Sequence, residues 1–269
     1  MTAWMAGDVV ANGVRLHYHR TGGARPPLVL AHGITDNGLC WTPIARALEA
    51  DYDVIMYDAR GHGESEAPRQ GFTWEDLAAD LAGLIEALRL EQPRVLGHSL
   101  GAATAARVAA GWPGLVCRVA LEDPPWRLAS QTPQQRAEHA ETWRNEVLSH
   151  HSRTPEELLA FVRQRSPNWP EDELPPWVIA KHQVHPIAIQ VVHSDLGDWR
   201  ETARRIACPA LLITADPERG AIVTPEDAAD AVRLMPQGHL VRIADAGHNI
   251  RRENRAAYLA AVRPFLAGV

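Results

Sequence analysis

Short apolar runs alternate with longer amphipathic or alanine-rich runs through the first half of the chain. A short β-branched or apolar run predicts a strand, and apolar residues spaced three and four apart predict a helix. The predicted strands are Val9–Ala11, Val14–His19, Leu28–Ala31, Asp53–Tyr57, Arg94–Leu96 and Cys117–Leu121, and the predicted helices are Trp41–Leu48, Trp74–Leu88 and Leu100–Ala110. Asn12-Gly13 separates the first two strands, which predicts a hairpin turn. The alternation as a whole is typical of βαβ units in a mostly parallel sheet.

This alternation stops between Asp123 and about Ala207, where we predict no strand. Five of the nine tryptophans fall there, namely Trp126, Trp143, Trp169, Trp177 and Trp199. The pattern predicts helices at Pro133–Val147 and Pro155–Arg165, then strands at Ala210–Thr214 and Leu240–Ile243 and helices at Pro225–Leu234 and Arg252–Leu266. We therefore predict an α/β core, residues 1–123 and 208–269, interrupted by a helical insertion, residues 124–207.

The pentapeptide Gly97-His98-Ser99-Leu100-Gly101 directly follows a predicted strand and directly precedes a predicted helix. It fits the G-x-S-x-G pattern, in which a sharp turn raises a serine hydroxyl at the end of the sheet. Glycine on both sides removes side chains that would clash in such a turn. The N-terminus of the helix directs free N–H groups towards the atom that the serine attacks. Ser99 is therefore a candidate nucleophile.

Three further turns contain groups that an acyl-transfer site needs. The loop His32-Gly33-Ile34-Thr35 follows a predicted buried strand, and a backbone N–H there, together with the amide of Leu100, would form a two-donor oxyanion hole. Ala246-Gly247-His248 follows the last predicted strand, which lets a histidine reach Ser99 as a general base. An acid in the turn after Ala210–Thr214 would give the chain order serine, acid, histidine.

These motifs lie at four strand ends, in the order that one active site needs, and ligands of α/β sheets bind at the carboxyl ends of strands. Over essentially its whole length the chain resembles the α/β-hydrolase superfamily. The segment Asp58–Ser65 is similar to the loop after the next core strand of that family, and the insertion is similar to its cap domain. The resemblance implies an α/β-hydrolase fold, a mostly parallel central sheet flanked by helices with a helical cap insertion. It also implies Ser99 as nucleophile, His248 as base, and the amides of Ile34 and Leu100 as the oxyanion hole.

The segment after the strand Ala210–Thr214 departs from the family pattern G-x-x-D. Ala215 occupies the glycine position of that pattern, and its spacing leads to Glu218 rather than to an aspartate. Asp216 follows the strand immediately, and Pro217 fixes its direction. We therefore prefer Asp216, followed by Glu218. The third candidate is Asp123 (or its neighbour Glu122), since some relatives place the acid after the preceding strand.

Composition and charge narrow the classes of partner. The chain has 27 Lys+Arg against 33 Asp+Glu, a net charge of −6, which argues against nucleic-acid binding and against an anionic membrane. No run approaches the roughly 18 apolar residues of a membrane span, and the N-terminus does not resemble a signal peptide. Three distant cysteines form neither a metal-binding pattern nor a disulfide framework. We expect a cytoplasmic monomer or homodimer that acts on a small-molecule substrate without metal or cofactor.

A serine nucleophile favours an acyl-type electrophile. The main hypothesis is a carboxylesterase or lactonase that cleaves a small-to-medium apolar ester or lactone through an acyl-enzyme, with His98 and Trp126 lining the pocket. One alternative is a C–C bond hydrolase of ring-cleavage products, which would need a cation for the substrate carboxylate. The candidate cations in the insertion are Arg127, Arg163 and Arg165. The other alternative is a noncatalytic ligand-binding receptor on the same fold.

Overall fold

The computed structural model describes residues 4–268. Within that range eight strands form one sheet: β1 (Met5–Ala11), β2 (Val14–Arg20), β3 (Pro27–Ala31), β4 (Asp53–Tyr57), β5 (Arg94–His98), β6 (Arg118–Glu122), β7 (Ala210–Thr214) and β8 (Gly238–Arg242). The helices of the same range are α1 (Thr42–Leu48), α2 (Trp74–Ala87), α3 (Leu100–Gly111), α4 (Pro133–His151), α5 (Pro155–Arg165), α6 (Leu174–Gln183), α7 (Trp199–Arg205), α8 (Pro225–Leu234), α9 (Ile250–Glu253) and α10 (Arg255–Ala267).

The order of strands across the sheet is β1-β2-β4-β3-β5-β6-β7-β8. The first two pairs, β1 with β2 and β2 with β4, are antiparallel, and every later pair is parallel. The expected hairpin turn is present, with Asn12 at φ 49° and Gly13 at φ 76°. Because the parallel strands all end at one edge, the loops after β3, β5, β6, β7 and β8 meet there. The mostly parallel α/β sheet predicted from the sequence is confirmed.

Helices cover both faces of the sheet, which explains why its central strands are almost continuously apolar. On one face, apolar residues of α2, α3 and α8 form a large buried cluster with the strands. On the other face, α1 and α10 contribute residues such as Leu48 and Tyr258 to a second cluster. None of the helices within residues 4–268 combines the length and apolar character needed to cross a membrane.

The region between β6 and β7 is helical, and the structure describes no strand there. Helices α5 and α6 have a small apolar cluster of their own, in which Leu158 and Val162 pack against Leu174, Trp177 and Val178. Helices there without any strand agree with the expected helical insertion, residues 124–207. Its exact boundaries and its status as a separate domain stay a prediction.

Some predicted elements match the structure at both ends, and others differ from it. The predicted bounds of α5, β7 and α8 coincide with the observed ones. The single helix expected at Arg252–Leu266 is two helices, because Asn254, at φ −140°, leaves the helical conformation between α9 and α10. The helix expected to begin at Trp41 begins at Thr42, after a tight turn at Gly38–Trp41.

A buried ionic cluster joins the insertion to the core. The Asp36 carboxylate, in the loop after β3, lies 3.3 Å from Lys181 Nζ of α6, 3.1 Å from Arg251 and 3.0 Å from Arg252. Burial disfavours the Asp36 carboxylate, but the three cations outweigh that effect and hold its pKa well below its usual range. Lys181 also donates to the backbone carbonyl of Thr35 at 2.6 Å. The insertion is therefore fastened to the loop that contains Ile34.

Lys181 is the only lysine of the chain, so this contact can be followed by amine chemistry. We expect reductive methylation to modify Lys181 at least about tenfold more slowly in the native protein than in denaturant, because opening of a buried cluster is rare. Burial lowers the pKa of Lys181, which by itself would speed the reaction, so protection would report exclusion of the reagent. Peptide mass mapping with and without denaturant measures the two rates.

Lys181→Arg is the matched control, since it should abolish modification of the peptide that contains residue 181 under both conditions. Equal rates at Lys181 in the native protein and in denaturant would show that α6 does not pack on the core in solution.

Candidate active site

Ser99 occupies a strained turn between β5 and α3. Its backbone has φ 53° and ψ −115°, a region that costs a non-glycine residue about 1–3 kcal/mol. A Cβ at Gly97 would overlap the backbone of Gly101, and a Cβ at Gly101 would overlap the carbonyl of Ala31. The two glycines thus let α3 begin directly against β3 and β5. The turn predicted from the pentapeptide is present.

His248 and Asp123 meet above the ends of β6 and β8. His248 Nδ1 lies 2.6 Å from Asp123 Oδ2. The Asp123 carboxylate has no solvent exposure and also accepts backbone hydrogen bonds from Ile222, at 2.8 and 3.0 Å, and from Val223, at 2.9 Å. A carboxylate accepts only, so His248 donates from Nδ1 and keeps Nε2 as an acceptor. This is the tautomer that a general base for a hydroxyl requires.

The preference for Asp216 as the acid is wrong in this geometry. One Asp216 oxygen accepts a hydrogen bond from Arg242 at 2.6 Å, and the other accepts one from the backbone N–H of Asp245 at 2.9 Å. Asp216 therefore stabilises the turn that leads to His248, while Asp123, the third candidate, contacts the ring. The loop after β7 was expected to contribute the acid. It instead contributes the backbone N–H groups of Ile222 and Val223, which donate to the Asp123 carboxylate.

The other two acids are also placed away from the histidine. Glu218 is exposed on the short turn Pro217–Arg219 after β7. Glu122 is fully buried and accepts a hydrogen bond from the backbone N–H of Arg251 at 3.0 Å. Burial raises the pKa of Glu122. Neither side chain reaches His248 through a hydrogen bond among the residues that the structure describes.

The amides of Ile34 and Leu100 are available as hydrogen-bond donors. Within residues 4–268 neither N–H is used in a hydrogen bond, and both residues line a pocket that contains Ser99. Leu100 is the first residue of α3, so its N–H belongs to the unsatisfied end of that helix. Both N–H groups are therefore unused beside the serine, and their role as an oxyanion hole stays a prediction.

Two buried histidines fix the loop that contains Ile34. His32 Nδ1 donates to the carbonyl of Gly33 at 2.8 Å, and His32 Nε2 accepts the backbone N–H of Ala59 at 3.0 Å. Burial lowers the pKa of His32 to about 3, which agrees with a neutral ring that donates once and accepts once. His62 Nε2 lies 2.7 Å from the carbonyl of Ile34. The sequence alone predicts no role for either histidine.

Two pockets open beside Ser99, and both are also lined by Ile34, Trp143 and His248. The first pocket has a volume of about 130 Å³ and contains most of the charged side chains of the site, namely Asp36, Glu146, Arg165, Lys181 and Arg252. The second pocket has a volume of about 120 Å³ and is more apolar, with Leu128, Val192 and Ile222 in its wall. The serine and the histidine thus lie where two small chambers meet.

The two residues expected to line the pocket have different places. His98 lines the first pocket and donates from Nε2 to the backbone carbonyl of His248 at 2.9 Å. Trp126 is buried away from both pockets, because its ring stacks on that of Trp199 with centroids 4.3 Å apart. The expectation for Trp126 is therefore wrong, and the tryptophan that both pockets share is Trp143.

The three candidate arginines are also separated. Arg163 is exposed, pairs with Glu171 at 2.7 Å and lines neither pocket. Arg165 lines the first pocket and lies 3.5 Å from Glu146. Arg127 lines the second pocket. Over residues 4–268 no three histidine, cysteine, aspartate or glutamate side chains are grouped as a metal site.

Comparison with known proteins places the chain in one family. A family model described as alpha/beta hydrolase fold matches residues 26–253. The N-formylmaleamate deformylase of Pseudomonas putida is 31% identical over 273 residues, which cover 99% of this chain and 98% of the relative. The 2-(acetamidomethylene)succinate hydrolase of Mesorhizobium japonicum is 28% identical over 92% of this chain and 90% of the relative. The solved enol-lactonase of Burkholderia xenovorans superimposes with a TM-score of 0.75 at 27% identity, covering 97% of this chain and all (100%) of the other.

The turn at Ser99, the sheet order and the match over most of the chain agree with one another, and the chain belongs to the alpha/beta hydrolase fold family as a hydrolase.

Proposed function

We propose that this protein hydrolyses the acyl–nitrogen bond of a small N-acylated carboxylate through an acyl-enzyme on Ser99. The observation that carries the proposal is the 2.6 Å contact between His248 Nδ1 and the buried Asp123 carboxylate, in a site where Ser99 and His248 line the same two pockets. Ser99 is the proposed nucleophile, His248 the general base and Asp123 the acid that orients it.

In the first half of the reaction, Ser99 Oγ attacks the acyl carbon and its proton passes to His248 Nε2. The carbonyl oxygen gains negative charge and accepts hydrogen bonds from the amides of Ile34 and Leu100. Asp123 stabilises the imidazolium that forms. His248 then returns the proton to the leaving nitrogen, the carbon–nitrogen bond breaks, and the acyl group stays on Ser99.

In the second half, His248 Nε2 removes a proton from a water molecule, and the resulting hydroxide attacks the acyl carbon. A second tetrahedral intermediate uses the same two amides. Its collapse breaks the bond to Ser99 Oγ, which regains its proton from His248. The net reaction adds one water and yields a short carboxylic acid and the nitrogen-containing product.

The relatives direct this proposal towards amides. Their names describe removal of a formyl group from N-formylmaleamate and hydrolysis of an acetamido compound of succinate. Both names contain a short acyl group on nitrogen and at least one carboxylate. Two chambers of about 130 and 120 Å³ suit groups of that size. Such substrates also need a cation in the site to bind the carboxylate, as a C–C bond hydrolase of ring-cleavage products would.

Hydrolysis of an ester or lactone is the second candidate. The enol-lactonase neighbour at 27% identity and the apolar wall of the second pocket favour it. The same acyl-enzyme would form, with an alkoxide or enolate in place of the leaving nitrogen. Ester or lactone hydrolysis, the main hypothesis from the sequence, therefore becomes the second candidate, with the same acyl-enzyme chemistry.

A substrate panel distinguishes the two candidates. We expect kcat/KM for N-formylmaleamate or 2-(acetamidomethylene)succinate to exceed that for an uncharged N-acyl amide by roughly 100-fold or more, because a site built for a polar group rejects analogues that lack it. Release of formate or acetate is the measured product. Turnover of p-nitrophenyl acetate or an enol-lactone without any amide turnover would favour the second candidate, and inactivity on the whole panel would contradict both.

Ser99→Ala tests the nucleophile. We expect the variant to lose about 1,000-fold or more in kcat, as serine hydrolases do when the nucleophile is removed, and to lose labelling by a fluorophosphonate probe. Intact mass and peptide mapping of wild type should show one adduct, on Ser99. Ser149→Ala on α4 is the matched control. An adduct on another residue, or near-normal turnover by Ser99→Ala, would place the chemistry elsewhere.

Asp123→Asn and Asp216→Asn separate the acid from the residue that was preferred from the sequence. We expect Asp123→Asn to lower kcat by about 10,000-fold, because an amide that donates to Nδ1 stabilises the wrong tautomer of His248. Asp216→Asn should stay within about tenfold of wild type and lower the melting temperature, since it weakens the contact with Arg242. Circular dichroism verifies that both variants fold. The opposite order of activities would restore Asp216 as the acid.

A further inference from the structure

The second pocket presents N–H donors beside Ser99 without any acidic residue. Arg127, His139 and Trp74 line it together with apolar side chains, and among the described residues no aspartate or glutamate does. Arg127 has no carboxylate within salt-bridge distance in the part of the chain that the structure describes. A positive, donor-rich and carboxylate-free chamber is what an anionic group requires.

His139 contributes a donor whose direction is fixed by its neighbour. The indole N–H of Trp143 donates to His139 Nε2 at 2.9 Å, and an indole nitrogen can only donate. The proton of a neutral His139 must then be on Nδ1. That nitrogen is buried and has no hydrogen-bond partner within residues 4–268. Burial, followed by the charge of Arg127, lowers the pKa of His139, which agrees with a neutral ring close to that guanidinium.

Trp74 provides a second unused donor. Its side chain is 1% exposed, it lines the second pocket, and its Nε1–H has no partner among the described residues. Leaving a buried donor unpaired costs about 1–3 kcal/mol. The second pocket is thus lined by two residues, Trp74 and His139, that each have a buried N–H donor without a partner among the described residues.

The first pocket lacks this property although it contains more cations. Lys181 and Arg252 both contact Asp36, at 3.3 and 3.0 Å. Arg165 lies 3.5 Å from Glu146, which lines the same pocket. Each of these charges already has a carboxylate partner, so an incoming anion would have to compete with it.

We infer that the second pocket is a carboxylate subsite, in which Arg127, the Nδ1–H of His139 and the Nε1–H of Trp74 hold an anionic group of the substrate. This inference rests on the proposed function and deepens it by stating where the carboxylate of the substrate lies. A guanidinium fork matches a planar carboxylate, and Leu128, Val192 and Ile222 surround the short carbon chain that bears it. The acyl carbon then lies at Ser99, and the rest of the substrate enters the first pocket.

Binding tests the subsite without depending on hydrolysis. Ser99→Ala protein is titrated with succinate, and with succinamide as the uncharged control. We expect succinate to bind at least about tenfold more tightly than succinamide. Arg127→Gln in the same background should weaken succinate binding about 10- to 100-fold, as the loss of a hydrogen bond to a charged group does, and leave succinamide unchanged. Arg127 is exposed on the turn Trp126–Ser130, so the variant should fold.

Arg163→Gln is the matched control, because Arg163 is exposed and lies outside both pockets. It should leave the affinity for succinate unchanged. Arg165→Gln is the competing variant. If Arg165→Gln weakens succinate binding and Arg127→Gln does not, the carboxylate lies in the first pocket and the inference is overturned. Undetectable binding of succinate to the Ser99→Ala protein overturns it as well.

His139 is tested with a pair of variants. His139→Phe removes the donor and should weaken succinate binding about tenfold, whereas His139→Asn, whose amide N–H can take the place of Nδ1–H, should recover part of the loss. Wild-type affinity in His139→Phe would contradict the role of the imidazole. In the active enzyme, Arg127→Gln should raise KM for a carboxylate substrate and change kcat by only a few-fold.

The outcomes for the subsite and for the proposed function can be told apart. Arg127-dependent binding of succinate by a protein that hydrolyses no N-acyl carboxylate would retain the subsite and reject the proposed reaction. Hydrolysis of N-acyl carboxylates with a KM that Arg127→Gln does not change would retain the reaction and reject the subsite.

Discussion

The buried carboxylate of Asp123 is the constraint on which the rest of the site depends. A charge with no solvent exposure needs a hydrogen-bond partner for each oxygen, and here Ile222, Val223 and His248 supply them. The loop after β7 and the turn after β8 must therefore close over the end of β6. Once they do so, Nδ1 of His248 is committed to the acid, and Nε2 is the ring nitrogen left to act on a hydroxyl.

Glu122, the residue before Asp123, connects the same end of β6 to the core. Glu122 accepts the backbone N–H of Arg251 and lies 3.5 Å from its guanidinium, and Arg251 in turn contacts Asp36. The end of β6 is thus bonded to the histidine turn through Asp123 and to α9 through Glu122. Asp36 continues the connection to Lys181 of the insertion. One chain of buried charges therefore links the histidine, the loop that contains Ile34 and α6, so displacing one of them disturbs the partners of the others.

The parts of the site that could be predicted from the sequence are those fixed by neighbouring residues. The turn at Ser99 follows from Gly97 and Gly101, and the N–H of Leu100 follows from the start of a helix at that turn. The identity of the acid depends instead on which backbone N–H groups a distant loop turns towards the end of β6, and no local pattern contains that information. The same holds for Trp126, whose ring lies against Trp199 rather than in either pocket beside Ser99, because stacking between residues far apart in sequence decides its place.

The partners that charged groups already have explain two things: why Asp216 does not orient His248, and why we assign the substrate carboxylate to the second pocket. Asp216 has the chemistry of a triad acid, but Arg242 and the N–H of Asp245 hold its carboxylate in another turn, and within residues 4–268 it makes no hydrogen bond to His248. By the same principle, Lys181 and Arg252 are cations in the first pocket whose charge Asp36 already uses. Breaking a buried ion pair so that one member can bind a new partner costs several kcal/mol. The groups left for substrate are those without partners, which is why the second pocket, with fewer charges, is the better place for a carboxylate.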